Sequence, residues 1–291
     1  MRLKSRFLQL LVGSDAVLVS IVSTRGSVPR EAGTWMAVFS NELVGTVGGG
    51  RLELDALAKA KDMAHRSAAG ETVRYALGPS LGQCCGGEVV LRFEPVTARD
   101  IEALDVRLSQ PLTPLALFGG GHVGTALVQV LGNLPFAVRW IDSRDEIFPD
   151  NVPDNVHCEH SDPVQAAVRD LPAGTIVLIM SFSHAEDLDV VAACLERQRA
   201  TGDVPYIGLI GSKTKWASFR HRLEARGFTA AELASVTCPI GIPGISGKSP
   251  EVIAVGVAAQ ILQVPQVPTI PQTVYTLAQR MEITPHGKLP S

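Results

Sequence analysis

The chain has 291 residues, of which 46% are hydrophobic and 19% charged, with a formal net charge of −3. That balance gives a well-buried globular protein with room for two ordinary domains, and it excludes a disordered chain. It equally excludes the basic footprint that nucleic acid or an anionic membrane surface requires. Five cysteines, an odd number, argue against a secreted disulfide framework and for a reducing, cytoplasmic setting. The start MRLKSRFLQLL is basic and apolar, but Ser14 and Asp15 break it and a strand pattern follows where a cleavage site would stand, so it is not read as a signal peptide. No apolar run approaches the roughly 20 residues of a membrane span.

In chain order, residues 16–23 (AVLVSIVS), 34–39 (TWMAVF) and 43–47 (LVGTV) read as strands. Gly48, Gly49 and Gly50 then open RLELDALAKAKDMAHRS, whose apolar residues recur at helical spacing. Residues 73–77 and 88–96 predict two more strands, joined through GQCCGGE. From Thr97 the pattern becomes charged, and Pro111 and Pro114 bracket an expected linker. Beyond it strands at 115–118, 137–141, 175–180, 206–210 and 235–238 alternate with helical patterns near 122–132, 162–170, 185–200, 213–226 and 249–262. Short, nearly continuous apolar strands separated by helices imply a parallel sheet covered on both faces. The fold class expected is α/β: a smaller N-terminal α+β domain over residues 1–110, then a Rossmann-like, doubly wound parallel sheet over 111–291. The proline-bearing tail from Val264 either wraps the domain or stays loose.

The second domain opens with LALFGGGHVGTA, in which Gly119, Gly121 and Gly124 form G-x-G-x-x-G between a strand and a helix that begins near His122. The context makes it a phosphate-binding fingerprint: Gly119 for the tight turn, Gly121 for close approach of a phosphate, Gly124 for helix–strand packing. The helix N-terminus supplies unpaired N–H groups to an anion. Asp142, about 20 residues on, is placed to hold ribose hydroxyls, and Arg144 to meet an added phosphate. His184, in SFSHAEDLDV, stands at the carboxyl end of a parallel strand, with Asp187 and Asp189 near enough in sequence to orient its ring; the same residues also read as a helix start capped by Ser183. Ser212 and Lys213 in GLIGSKTKW, and Lys248 before a helix that Ser249 caps and Pro250 begins, are further anion candidates or plain helix starts.

The sharpest feature is Cys84 and Cys85, adjacent thiols in a loop with Gly82, Gly86 and Gly87. Adjacent cysteines are a poor disulfide pair and do not match C-x-x-C spacing. Thiolates are soft donors suited to soft metals or sulfur chemistry, and the glycines leave backbone amides open. Arg25 and Arg30, in the loop STRGSVPREAGTW, suit an oxyanion or phosphate. Cys158, Cys194 and Cys238 read as small core residues. His65, His122, His157, His160, His221 and His286 show no metal-ligand spacing, and His157 and His160 read as loop residues.

These segments together resemble the xanthine dehydrogenase accessory proteins, the XdhC/CoxI family. The resemblance covers nearly the whole chain and is carried, in order, by TRGSVPREAGTWM, GTVGGGRLE, LGQCCGGEV, LFGGGHVG with WIDSR, GLIGSKTK and CPIGIPGISGKSPEVIAV. It implies a carrier that is not itself an enzyme. Such a protein binds the molybdenum cofactor (molybdopterin), protects it while a cysteine desulfurase installs the sulfido ligand, and delivers it to the apo form of xanthine dehydrogenase or a related molybdenum hydroxylase. It further implies a homodimer, with Cys84 and Cys85 facing the molybdenum, Gly86 and Gly87 contacting the rest of the cofactor, and Gly119, Gly121 and Gly124 taking its phosphate or a nucleotide. The family often carries Thr-His-Asp-His after the fourth Rossmann strand, where this chain has Ser183, His184, Ala185 and Glu186; a role needing two histidines is not met. Two readings compete with the carrier: a nicotinamide-dependent oxidoreductase built on the Rossmann domain, and a sensor whose cysteine pair binds a soft metal.

Overall fold

The computed structural model describes residues 3–77, 86–109, 111–265 and 270–271. Cys84, Cys85 and the tail other than Val264, Pro265 and Ile270–Pro271 lie outside the described residues. The chain divides into two units, Met1–Leu108 and Ser109–Ser291.

The first unit runs α1 (Leu3–Leu11), β1 (Ala16–Arg25), β2 (Trp35–Val38), β3 (Leu43–Gly45), α2 (Gly50–Arg66), β4 (Glu71–Ala76), β5 (Glu88–Val96) and α3 (Ile101–Arg107). Its strands pair antiparallel throughout, in the order β3-β2-β1-β5-β4. The period-two alternation of β1 divides the core into two layers. Val17, Val19 and Ile21 pack with Leu52, Ala56, Ala60 and Met63 of α2. Ala16 and Leu18 pack on the other side with Phe7 and Leu11 of α1 and Leu104 of α3. Helix α1 replaces what the sequence offered only as an apolar start, and α3 stands in the charged stretch after Thr97, to which no element was assigned; both are short, so few apolar repeats mark them.

The second unit runs β6 (Pro111–Phe118), α4 (His122–Leu131), β7 (Phe136–Asp142), β8 (Val156–His160), β9 (Ile176–Ile179), α5 (His184–Thr201), β10 (Tyr206–Leu209), α6 (Lys213–Ala225), α7 (Ala230–Leu233), β11 (Val236–Thr237), α8 (Pro250–Ile261) and β12 (Ile270–Pro271). Six strands are parallel, in the order β11-β10-β9-β6-β7-β8, with β12 antiparallel beside β6. This is the doubly wound Rossmann order, in which the first strand lies between the second and the fourth. Alternate residues of the central strands feed opposite layers: Ala116, Phe118, Val177 and Ile179 pack with α5 and α6, and Leu115, Leu117, Ile176 and Leu178 with α4 and α8.

Three expectations are corrected. Pro111 and Pro114 lie inside β6 and do not bracket a linker. Thr113 donates its N–H to Pro135 on the β7 side, so the next residue turns its nitrogen the other way. There β12 pairing reaches Leu112 and β9 pairing begins at Leu115. Pro114 therefore costs no ladder hydrogen bond. His157 and His160, read as loop residues, sit on β8, an edge strand tied to β7 by Arg139–Glu159 at 2.6 Å. The helix expected at 162–170 is a 3-10 stretch, Val164–Asp170.

Candidate functional site

In the second unit the chain reverses direction along the sheet between β6 and β9, and ligands of such sheets sit at the carboxyl ends of those strands. The loops that follow the two strands touch there. Gly119 has φ +118°, and a Cβ added to it would lie 2.2 Å from the Met180 carbonyl oxygen. A Cβ on Gly124 would lie 2.1 Å from the Gly119 carbonyl oxygen, which also accepts a hydrogen bond from Trp140 Nε1 at 2.9 Å. Only glycine permits either approach. Gly121 differs: nothing lies within 4 Å of an added Cβ, and it is the N-cap of α4 without a side-chain cap. His122 follows as the first, exposed residue of the helix. An uncapped helix start facing open space presents amide donors and the positive end of the helix dipole to an anion.

Asp142 ends β7 and is 2% exposed. Its Oδ1 accepts from the Arg144 amide and Arg144 Nε, both at 2.9 Å. Its Oδ2 accepts from the Gly120 amide at 2.6 Å and Arg144 Nη2 at 2.9 Å. Burial alone would raise the Asp142 carboxyl; the Arg144 side chain and the Gly120 and Arg144 amides outweigh it and hold the group below the ordinary carboxylate value. The Arg144 guanidinium also lies over the Phe182 ring, 4.7 Å from its centroid.

His184 is the exposed first residue of α5, behind Ser183, whose hydroxyl accepts from the Glu186 amide at 3.1 Å. Its ring meets Phe219 edge-on at 6.2 Å. The expectation that Asp187 and Asp189 orient this imidazole is corrected. Asp187, 1% exposed, accepts from the Ser181 amide at 2.8 Å and pairs with Lys215 at 2.5 Å. Asp189 pairs with Arg226 at 2.8 Å. Lys215 also donates to the Ile210 carbonyl at 2.9 Å, so the Asp187–Lys215 pair ties together the loops after β9 and β10. Nothing in GSKTK separates Lys215 from Lys213, and the sequence reading had favoured the exposed Lys213. The Ser181 hydroxyl, beside this pair, is buried with no partner among the described residues. Ser212 accepts from the Lys215 amide at 3.2 Å as the N-cap of α6.

In the first unit, Arg25 ends β1, and both Arg25 and Arg30 are exposed. Neither forms an ion pair with another described residue. The backbone from Arg25 to Ser27 runs against Gly87: a Cβ there would lie 2.3 Å from the Ser27 carbonyl oxygen and 2.7 Å from that of Arg25. The Leu77 amide donates to the Gly87 carbonyl at 2.7 Å. The two ends of the segment that carries Cys84 and Cys85 therefore meet beside Arg25, and Gly86 is exposed. On the other side of the arginine loop, a Cβ on Gly48 (φ +131°) would lie 2.7 Å from Pro29 Cγ. Glu53, which the sequence reading passed over, organises that glycine run. One carboxylate oxygen accepts from the amides of Val47 at 3.1 Å and Gly49 at 3.2 Å and from the Thr46 hydroxyl. An acidic residue in the first turn behind three glycines is the signal that could have found it.

The other thiols are held protonated. Burial pushes Cys194 up to about 12 and Cys158 up to about 11. Burial also raises Cys238, with Lys215 opposing. Such groups make poor nucleophiles at neutral pH. Among the described residues, no group of three or more His, Cys, Asp or Glu is placed to hold a metal ion, and no helix is long and apolar enough to cross a membrane.

The fold and the crevice define a two-unit α/β protein whose second unit is a Rossmann domain. Comparison with known proteins makes that specific. The profile described as the XdhC Rossmann domain matches residues 115–261, and that of the XdhC and CoxI family matches residues 10–76. The chain belongs to the XdhC/CoxI family. A curated relative from Escherichia coli (strain K12), uncharacterized protein YqeB, is 26% identical over 252 residues, which cover 85% of this chain and 43% of that protein. The chain thus spans less than half the length of that relative. A crystal structure described as a xanthine dehydrogenase from Bacillus halodurans is 21% identical, with a TM-score of 0.70 over 89% of this chain and 95% of that one, and shares the fold.

Proposed function

We propose that this chain is an accessory protein of xanthine dehydrogenase maturation: it binds the molybdenum cofactor as cargo, shelters it during sulfuration by a cysteine desulfurase, and passes it to the apo enzyme or a related molybdenum hydroxylase. Membership of the XdhC/CoxI family through matches in both units is the observation that carries the reading. Each unit, taken by itself, carries donor types that suit part of the cargo. The open, uncapped start of α4 at Gly121 suits its terminal phosphate. Cys84 and Cys85 supply soft sulfur donors for its metal end. Arg25 and Arg30 stand exposed, with Arg25 beside the ends of the cysteine segment, and can meet an anionic group.

Protein purified from cells that make the cofactor is expected to release a fluorescent pterin on oxidation and to contain molybdenum in matching amount. Cys84→Ala and Cys85→Ala are expected to lose molybdenum retention. Absence of pterin from the wild-type protein would overturn the carrier reading, and copper without pterin would favour a soft-metal sensor. Retention unchanged in both variants would remove the thiols from the reading.

A further inference from the structure

We infer that Arg144 is a specificity-determining residue of the Rossmann crevice: its guanidinium fork takes both Asp142 oxygens and closes the crevice to the ribose diol of a nicotinamide dinucleotide. This goes beyond the carrier reading and does not depend on the cargo. An acidic residue at the end of the second Rossmann strand ordinarily holds NAD by accepting from the ribose hydroxyls. Asp142 stands at that place, the end of β7. A carboxylate offers about four lone-pair sites, and here four N–H groups fill them: two on Oδ1 from Arg144, and one each on Oδ2 from Gly120 and Arg144. No acceptor remains for a diol.

Arg144 is also hard to displace. A bidentate guanidinium–carboxylate pair is among the stronger hydrogen-bonded contacts, and the Phe182 ring backs the guanidinium on one face. Expelling it would leave Asp142, at 2% exposure, with two backbone donors for a buried charge. The closure is nevertheless selective. The guanidinium has five N–H groups, spends two on Asp142, and is 35% exposed. No other described side chain accepts from it. The crevice therefore rejects a ribose diol at the end of β7 while keeping cationic donors for a phosphate. Phosphate monoesters without a diol at that place are the ligand class it favours.

The test is a titration of the full chain with NADH and with ADP-ribose, followed by calorimetry. The wild-type protein is expected to show no saturation below about 1 mM. Arg144→Ala uncovers Asp142 and is expected to bind NADH at least about tenfold more tightly, and Asp142→Asn in the same chain is expected to abolish the gain. If circular dichroism shows Arg144→Ala unfolded, Arg144→Met, which keeps an apolar stem but carries no N–H donor for Asp142, is titrated instead with the same expectation. Micromolar NADH binding by the wild-type protein overturns the inference. So does a folded Arg144 variant with no gain, or a gain that survives the loss of Asp142.

Discussion

Each unit of this protein opens a helix with a run of glycines, and the two units spend the freed backbone amides differently. In the first, Glu53 turns back on its own loop and takes the amides of Val47 and Gly49. In the second, Asp142 takes, of the glycine run's amides, the Gly120 amide alone among the described hydrogen bonds, and the helix start behind Gly121 is left uncapped. A glycine run is therefore not itself a binding loop. Where a carboxylate of the same chain satisfies the amides, the glycines serve shape, as Gly48 does in passing Pro29. Where the amides face open space, they remain available to an anion. The carboxylates differ as well: Asp142 is neutralised by Arg144, whereas the partners recorded for Glu53 are amides and a hydroxyl.

The strongest way to break this contrast is to remove the pair that holds the second unit's loops. Lys215→Ala leaves Asp187 as an uncompensated charge at 1% exposure, and is expected to destabilise the protein by about 3–5 kcal/mol in denaturant unfolding. A loss under about 1 kcal/mol would show that the pair does not brace the loops. Next in size is Glu53→Gln. It exchanges a charged acceptor for a neutral one and is expected to cost about 1.5–3 kcal/mol. Hydrogen exchange should quicken first at Val47 and Gly49; unchanged exchange there would mean the glycine run holds its shape without Glu53.

The smallest expected effect is acid-side. The Arg197 fork holds the Asp203 carboxyl down from 3.8 to about 2, with burial opposing and Thr201 assisting. The folded value lies below the unfolded one. The pair's stabilisation is therefore complete above about pH 4 and lost as pH falls through about 2. Arg197→Gln should flatten that part of the pH–stability profile, by about 1 kcal/mol for a partly exposed pair. An unaltered profile would place the acid sensitivity elsewhere.

Much of the second unit was legible because its signals are local. Strand–turn–helix context located the G-x-G-x-x-G run, and residues 206–210 and 213–226 announced β10 and α6 to within a residue. Edge strand β8 was missed because its residues, VHCEH, are partly buried or exposed apart from Val156 and show no apolar run. The prolines misled for a similar reason. Pro114 breaks a strand only where a ladder bond is needed, and which side of β6 lacks a partner at that residue depends on β9 and β12, far along the chain.

By itself the sequence determined the family, the α/β class and the residue types at each glycine turn, since these rest on spacing within a few residues and on the order of motifs. Tertiary structure alone decided the pairings: Asp142 with Gly120, Asp187 with Lys215, and Gly119 against Met180. Each requires loops separated by tens of residues to converge at the carboxyl end of one sheet. Whether a carboxylate there is open to a ligand or already filled depends on how many donors reach it, and that is a property of the packed chain.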